Sequence, residues 1–323
     1  MKAAVLHQLG KAPKYEDFPE PVIQNNKQLL ITVKAASVKN LDKGRASGSH
    51  YASHKNLPEV VGIDGVGVLA DGTRVYSTGI TGMIAEKALI NKNWYTVLPH
   101  ALDDVTAAAL PNAIMGAALA LKYRAEVKAG DTVLINGATG VTGQVAIQIA
   151  KYYGAKKVIA TGRNPESLNL LLSLGADEII SLKDDDDKIT SRLKEIHSST
   201  PINSVIDYTW GHPAEIILNA LKGGGLHNIT PKVRFVTVGS MAGDEIKVTS
   251  NLLRSTAIEI LGSGFGSLPA EAMQKLPTEI LPEMLQLAAN GKLKIETVTA
   301  DLKDVEAAWN QNVPAGKRLV IVM

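Results

Sequence analysis

The chain has 323 residues, 45% hydrophobic and 20% charged, with a net charge of +2 and no cysteine. That length exceeds one small core and implies about two domains, while the interspersed charges offer no basic stripe for nucleic acid and no acidic tail. The missing cysteines exclude disulfides, thiolate catalysis and cysteine-ligated zinc.

The opening "MKAAVLHQLGKAPKY" has no long apolar core and does not read as a signal peptide. No apolar run approaches the roughly 20 residues of a membrane span. The expectation is a cytoplasmic protein with neither membrane nor nucleic-acid partner. "KAAVLHQ", "QLLITVKAAS", "GVGVLADGTRVYST" and "MIAEKALI" read as strands, with "ADGT" (Ala70–Thr73) as a hairpin turn. A helix follows over "DDVTAAALPNAIMGAALALKYRA", led by Asp103 and Asp104 at its positive end. Pro111 is expected to break or kink it.

Residues 131–262 then alternate strand and helix: "DTVLIN", "VTGQVAIQIAKYYGA", "KKVIATG", "PESLNLLLSLGA", and strands in "DEIISL", "SVIDYT", "VRFVTVGS" and "IEILGS". This alternation implies a parallel, doubly wound sheet. The chain finishes on "RLVIVM", another strand. A βα domain over 113–262 is therefore inserted into a β-rich domain made of 1–112 and 263–323. "DDDDK" (Asp184–Lys188) reads as a solvated helix start.

"NGATGVTG" (Asn136–Gly143) lies between a strand and a helix, where a phosphate-cradling turn belongs. Gly140 is expected to allow the tight turn and Gly143 the close packing of helix on strand. The amides of Thr139, Gly140, Val141 and Thr142 are expected to face the pyrophosphate. An NAD fold places an acid at the end of the second strand. Here that place holds Gly162, Arg163 and Asn164, with no acid before Glu166. Arg163 suits a 2′-phosphate, so the cofactor is NADPH. Gly239 and Ser240 should flank the nicotinamide, because ligands sit at strand C-termini in such sheets. A short-chain reductase would use Tyr-x-x-x-Lys after an N-terminal glycine turn. Tyr51/Lys55, Tyr152/Lys156 and Tyr153/Lys157 have the spacing but stand in the wrong order relative to the turn.

The order of β-domain, glycine turn, sheet and β-tail resembles the medium-chain dehydrogenase/reductase superfamily over essentially the whole chain. "KAASVKNLDKG" (Lys34–Gly44), "LPEVVGIDGVGVL" (Leu57–Leu69), the glycine turn, "GADEII" and "GKRLVIV" (Gly316–Val322) carry the likeness. It implies an α/β protein: a GroES-like β-rich catalytic domain plus a doubly wound Rossmann cofactor domain. Zinc-dependent members have Cys and His where this chain has Lys39 and Ile63. The resemblance is therefore to the zinc-independent branch, which includes quinone oxidoreductases, zeta-crystallin-like proteins and enoyl reductases, and is usually dimeric through cofactor-domain edge strands. Departures from that branch are Lys39 in place of an Asn, with Asn40 following it, Gly44 in place of a Tyr, and Gly116 in place of a Thr. His50 and His54 are four apart but lack a third ligand, so no metal site is expected.

Without a Lewis acid, the implied chemistry is hydride donation to an electron-poor quinone or α,β-unsaturated carbonyl. Tyr51 is the candidate proton donor, with water as the alternative. Lys39, Asn40 and Asn112 are candidate substrate lining, and Phe265 in "GSGFGS" (Gly262–Ser267) a candidate cover. Enoyl-thioester or alkenal reduction, or a non-catalytic NADPH-binding role, are the alternatives.

Overall fold

The alternating and apolar runs of the first hundred residues form β1 (Lys2–Leu6), β2 (Lys14–Asp17), β3 (Gln28–Val38), β4 (Glu59–Val60), β5 (Asp64–Val68), β6 (Arg74–Thr78), β7 (Lys87–Asn91) and β8 (Thr96–Val97). Helix α1 (Asn40–Ser47) follows β3, and α2 (Asp104–Leu119) follows β8. Strand and helix then alternate: β9 (Thr132–Asn136), α3 (Val141–Tyr152), β10 (Lys157–Gly162), α4 (Pro165–Ser173), β11 (Glu178–Ser181), α5 (Asp186–Ser199), β12 (Ser204–Asp207), α6 (Gly211–Ala220), β13 (Val233–Thr237) and β14 (Ile258–Gly262). β15 (Glu296–Asp301) and β16 (Lys317–Val322) close the chain. This computed structural model describes residues 1–224 and 229–323.

Two units result, Met1–Pro111 with Lys275–Met323, and Asn112–Gln274. The first holds a three-stranded sheet, β2-β1-β4, and a larger sheet in the order β15-β16-β3-β5-β6-β8, with β7 also paired to β3. Apart from the parallel pair β15–β16, its pairings are antiparallel. Its core gathers Ile31, Val33, Met83, Ile84, Trp309 and Ile321. The second unit holds one parallel sheet, β11-β10-β9-β12-β13-β14. β9 is buried throughout, as a strand covered on both faces must be. Leu134, Ile159, Val205 and Phe235 pack there with Ile189 and Leu193 of α5 and Ile217 of α6.

Three expectations need revision. α2 runs through Pro111 without ending. The residues before the proline, Ala107–Leu110, are all buried, so packing holds the turn whose hydrogen bond the proline removes. The regular helix gives way later, at a π-helical turn over Ala120–Arg124. Asp104–Arg124 is also a 21-residue helical stretch whose most apolar 18-residue window has a mean hydropathy of 1.4, long and apolar enough by composition to cross a membrane, although the sequence leads one to expect none. Its most apolar window is 72% buried within the structure, the mark of a core helix. Finally, the second boundary between units falls after Gln274 rather than after Gly262. The Ser267 hydroxyl donates to the carbonyls of Gly262 and Gly264, which keeps this loop with the end of β14.

Candidate active site

The apolar strand β9 delivers Asn136, fully buried, to the start of the glycine turn. The tight turn belongs to Gly137, at φ 77°, where a Cβ would come within 2.6 Å of the Thr209 methyl. It does not belong to Gly140, whose φ of −76° suits any residue. Gly140 instead caps α3 with no side chain, so the helix begins without a side-chain cap. The first amides of α3, from Val141 to Gly143, are thereby open to an anion at the positive end of the helix. A Cβ on Gly143 would sit 2.5 Å from the Ala138 Cα, so the helix packs directly on the turn. Thr139 and Gly162 are equally close: a Cβ on Gly162 would strike the Thr139 methyl.

Beneath the turn lies a network joining three strand ends. Asn136 Nδ2 donates to Asp207 Oδ1 and to Thr209 Oγ1, both at 2.7 Å. Thr161 Oγ1 donates to Asn136 Oδ1 and accepts from Gly137 N. Burial raises the Asp207 pKa, opposed by hydrogen bonds from Thr209, Asn136 and Trp210. At the end of β10, Arg163 and Asn164 are exposed, and Asn164 Oδ1 accepts from Ser167 N at 2.9 Å as the cap of α4. Asn164 thus has a structural duty in addition to the expected contact with cofactor.

A recess of about 440 Å3 opens at the ends of β13 and β14, lined by Trp210, Gly239, Ser240, Asp244, Gly262 and Ser263 among others. Phe265 lies on the same loop, 59% exposed. Asn112 is half-buried on α2. Gly116 has a steric reason: a Cβ there would lie 2.9 Å from the Thr142 methyl at the start of α3. Trp210 is a residue that the sequence does not single out; only its place just after the strand in "SVIDYT" hints at it.

In the first unit, Lys39 is not surface lining but the centre of a buried cage. Its Nζ lies 2.6 Å from Asp64 Oδ1, 2.7 Å from Ser37 O, 3.0 Å from Asp42 Oδ2 and 3.2 Å from Ser37 Oγ. Asp42 Oδ1 accepts from Ile63 N, and Asp64 Oδ2 accepts from Tyr76 OH. Burial alone lowers the Lys39 pKa, but Asp42 and Asp64 outweigh it and the net shift is upward. Arg318 is a second buried cation, its pKa lowered by burial, and its Nε has no hydrogen bond among the described residues. Asn40, the first residue of α1, is exposed. Tyr51 is 92% exposed, so its phenol stands in solvent, with the tilted His50 ring beside it at a centroid distance of 4.1 Å. His54 pairs with Glu59 at 2.8 Å, and His50 Nδ1 accepts from Ala52 N. Among the described residues no group of three or more His, Asp or Glu could hold a metal ion.

A family model described as zinc-binding dehydrogenase matches residues 141–289. A quinone oxidoreductase of Sus scrofa is 31% identical over 271 residues, covering 80% of this chain and 78% of its own. The chain belongs to the quinone oxidoreductase branch of the medium-chain dehydrogenase/reductase superfamily. The chloroplastic NADPH-dependent alkenal/one oxidoreductase of Arabidopsis thaliana is 37% identical over 171 residues, 46% of this chain and 44% of its own. Among solved structures, the quinone oxidoreductase of Thermus thermophilus, also determined in complex with NADPH, aligns over 100% of both chains at 28% identity with a TM-score of 0.81. In this quinone oxidoreductase fold the parallel sheet is the Rossmann-like half and the larger, mainly antiparallel sheet the GroES-like half.

Proposed function

We propose that this chain is an NADPH-dependent oxidoreductase that reduces a quinone or an α,β-unsaturated carbonyl without zinc. The observation that carries it is the uncapped start of α3 beside a strand end, Gly162-Arg163-Asn164, that has no acid. Oxygen-rich phosphates fit helix amides that have no side-chain cap. The exposed Arg163 guanidinium fits a 2′-phosphate, and no carboxylate of that segment repels it. When bound, the cofactor supplies a hydride equivalent. The chain's own part is to orient: the glycine turn fixes the pyrophosphate, Gly239 and Ser240 border the ring end, and Asn112 and Phe265 are assigned to the acceptor side. Asn40 is assigned to the approach of the acceptor. With Tyr51 in solvent, the proton that completes the reduction comes from water.

Zinc does not fit the residues present. Ile63 has no donor atom, the chain has no cysteine, and the Lys39 ammonium already fills the oxygen cage. The likeness to an alkenal/one oxidoreductase favours enones beside quinones as acceptors. A panel of quinones, enones and enoyl thioesters with NADPH and NADH tests the reading. Turnover of a quinone or enone with preference for NADPH is expected, and no turnover of any acceptor would overturn it.

β14 ends the parallel sheet as an open edge, half-buried and carrying Ile258 and Ile260. Such an edge calls for a partner, and a homodimer pairing two β14 strands supplies one. Light scattering should give twice the chain mass of 34.3 kDa; a monomer at every concentration would refute it.

A further inference from the structure

We infer that Trp210 is a cofactor-binding residue whose indole walls the position of the nicotinamide ring. The inference rests on the NADPH reading above.

The backbone of Trp210 has φ 53° and ψ −156°, a region open in practice only to glycine. A bulky residue persists there only where its surroundings over-determine it, and here they do. Asp207 accepts from Trp210 N through both carboxylate oxygens, at 3.0 and 3.2 Å. Asp207 Oδ1 also accepts from Thr209 N at 3.0 Å, Thr209 Oγ1 at 2.9 Å and Asn136 Nδ2 at 2.7 Å. From the other side, Ala242 N donates to Thr209 O at 2.7 Å. A Cβ on Gly211 would lie 2.7 Å from Ala242 O, and one on Gly239 would lie 2.9 Å from Tyr208 O. The turn after β12 is thus locked against the loop after β13.

What this locked turn presents is a half-buried indole. Its edge rests against Phe235, ring centroids 6.2 Å apart at 65°. The residue also lines the recess beside Gly239, Ser240 and Gly262. A recess of that size, with an aromatic wall and glycines that let backbone approach closely, suits a flat ring. The location selects which ring. Asn136 and Trp210 N share the Asp207 carboxylate, so one buried group fixes both the turn assigned to the pyrophosphate and the indole. The dinucleotide half that extends from the pyrophosphate towards β13 and β14 carries the nicotinamide, because the exposed end of β10 with Arg163 is on the opposite side of β9.

The test compares NADPH with adenosine 2′,5′-bisphosphate, which has the adenine and 2′-phosphate but no nicotinamide. Trp210→Ala should weaken NADPH about three- to tenfold, as loss of one aromatic contact does, and leave the fragment within about twofold. Indole emission overlaps dihydronicotinamide absorption. NADPH should therefore quench wild-type fluorescence by transfer, and Trp210→Phe should lower that transfer to what Trp94 and Trp309 supply while keeping NADPH affinity within about threefold. Equal losses for NADPH and the fragment, or transfer undiminished in Trp210→Phe, would overturn the assignment. If Trp210→Ala does not fold, the phenylalanine variant decides alone. A wild-type protein that binds neither ligand refutes the NADPH reading itself, a different result from binding both with Trp210 uninvolved.

Discussion

The ends of β9, β10 and β12 and the ends of β3 and β5 are both organised by buried polar groups, and the two clusters are built in opposite ways. Around Asp207 there is one charge, held by N–H and O–H dipoles from Asn136, Thr209 and Trp210. Around Lys39 charge meets charge: two cations, Lys39 and Arg318, lie among Asp42 and Asp64. The first arrangement leaves the start of α3 open to an incoming anion. The second is neutral in sum, and the oxygens around Lys39 already have their cation. A buried polar cluster becomes a binding site when some of its dipoles remain unanswered, and becomes a strut when its charges cancel internally.

The largest expected effect separates strut from site. Lys39→Met removes one member of a buried ion cluster and should cost about 3–5 kcal/mol of folding stability by denaturant titration, while a chelator leaves the wild type unchanged. A chelator-sensitive wild type would mean that a metal shares the work. Next, Arg163→Ala should leave stability untouched and weaken NADPH by about 1.5–3 kcal/mol, ten- to a hundredfold, with NADH nearly unaffected. Equal losses for the two cofactors would assign Arg163 to the pyrophosphate or the fold. The smallest effect belongs to Asn164→Ala. Loss of the cap on α4 should lower stability by about 1 kcal/mol, and a larger effect on NADPH than on stability would show that the cofactor also needs Asn164.

The site half is the more readable in the sequence. A strand, a glycine-rich turn and a helix follow one another within "TVLINGATGVTGQVAIQIA", and local spacing dictates that geometry. The details are less readable. The left-handed residue is Gly137, because the clash it avoids involves Thr209, far along the chain. Trp210 gives no signal beyond its place after a strand, since its conformation depends on Asp207 and on the Ala242 loop together. Lys39 reads as lining because a lysine is usually exposed. Only the convergence of Ser37, Asp42 and Asp64 from different elements makes a buried one tolerable. Pro111 does not end α2 for the same reason: burial around it outweighs the hydrogen bond the proline removes.

Lys39 also changes what this half of the molecule depends on. A lobe held by a bound ion gains stability with the logarithm of free ion concentration and loses it when the ion is withdrawn. An ammonium carried on the chain's own backbone is present at one per molecule and has no dissociation constant. Its vulnerability is to base. Asp42 and Asp64 raise its pKa above the ordinary lysine value of 10.5, despite the opposing effect of burial. So far as the lysine's own proton is concerned, its contribution is therefore complete below that value and is lost as pH climbs through the raised one. Starvation for metal leaves such a lobe standing, and strong alkali is what unfastens it.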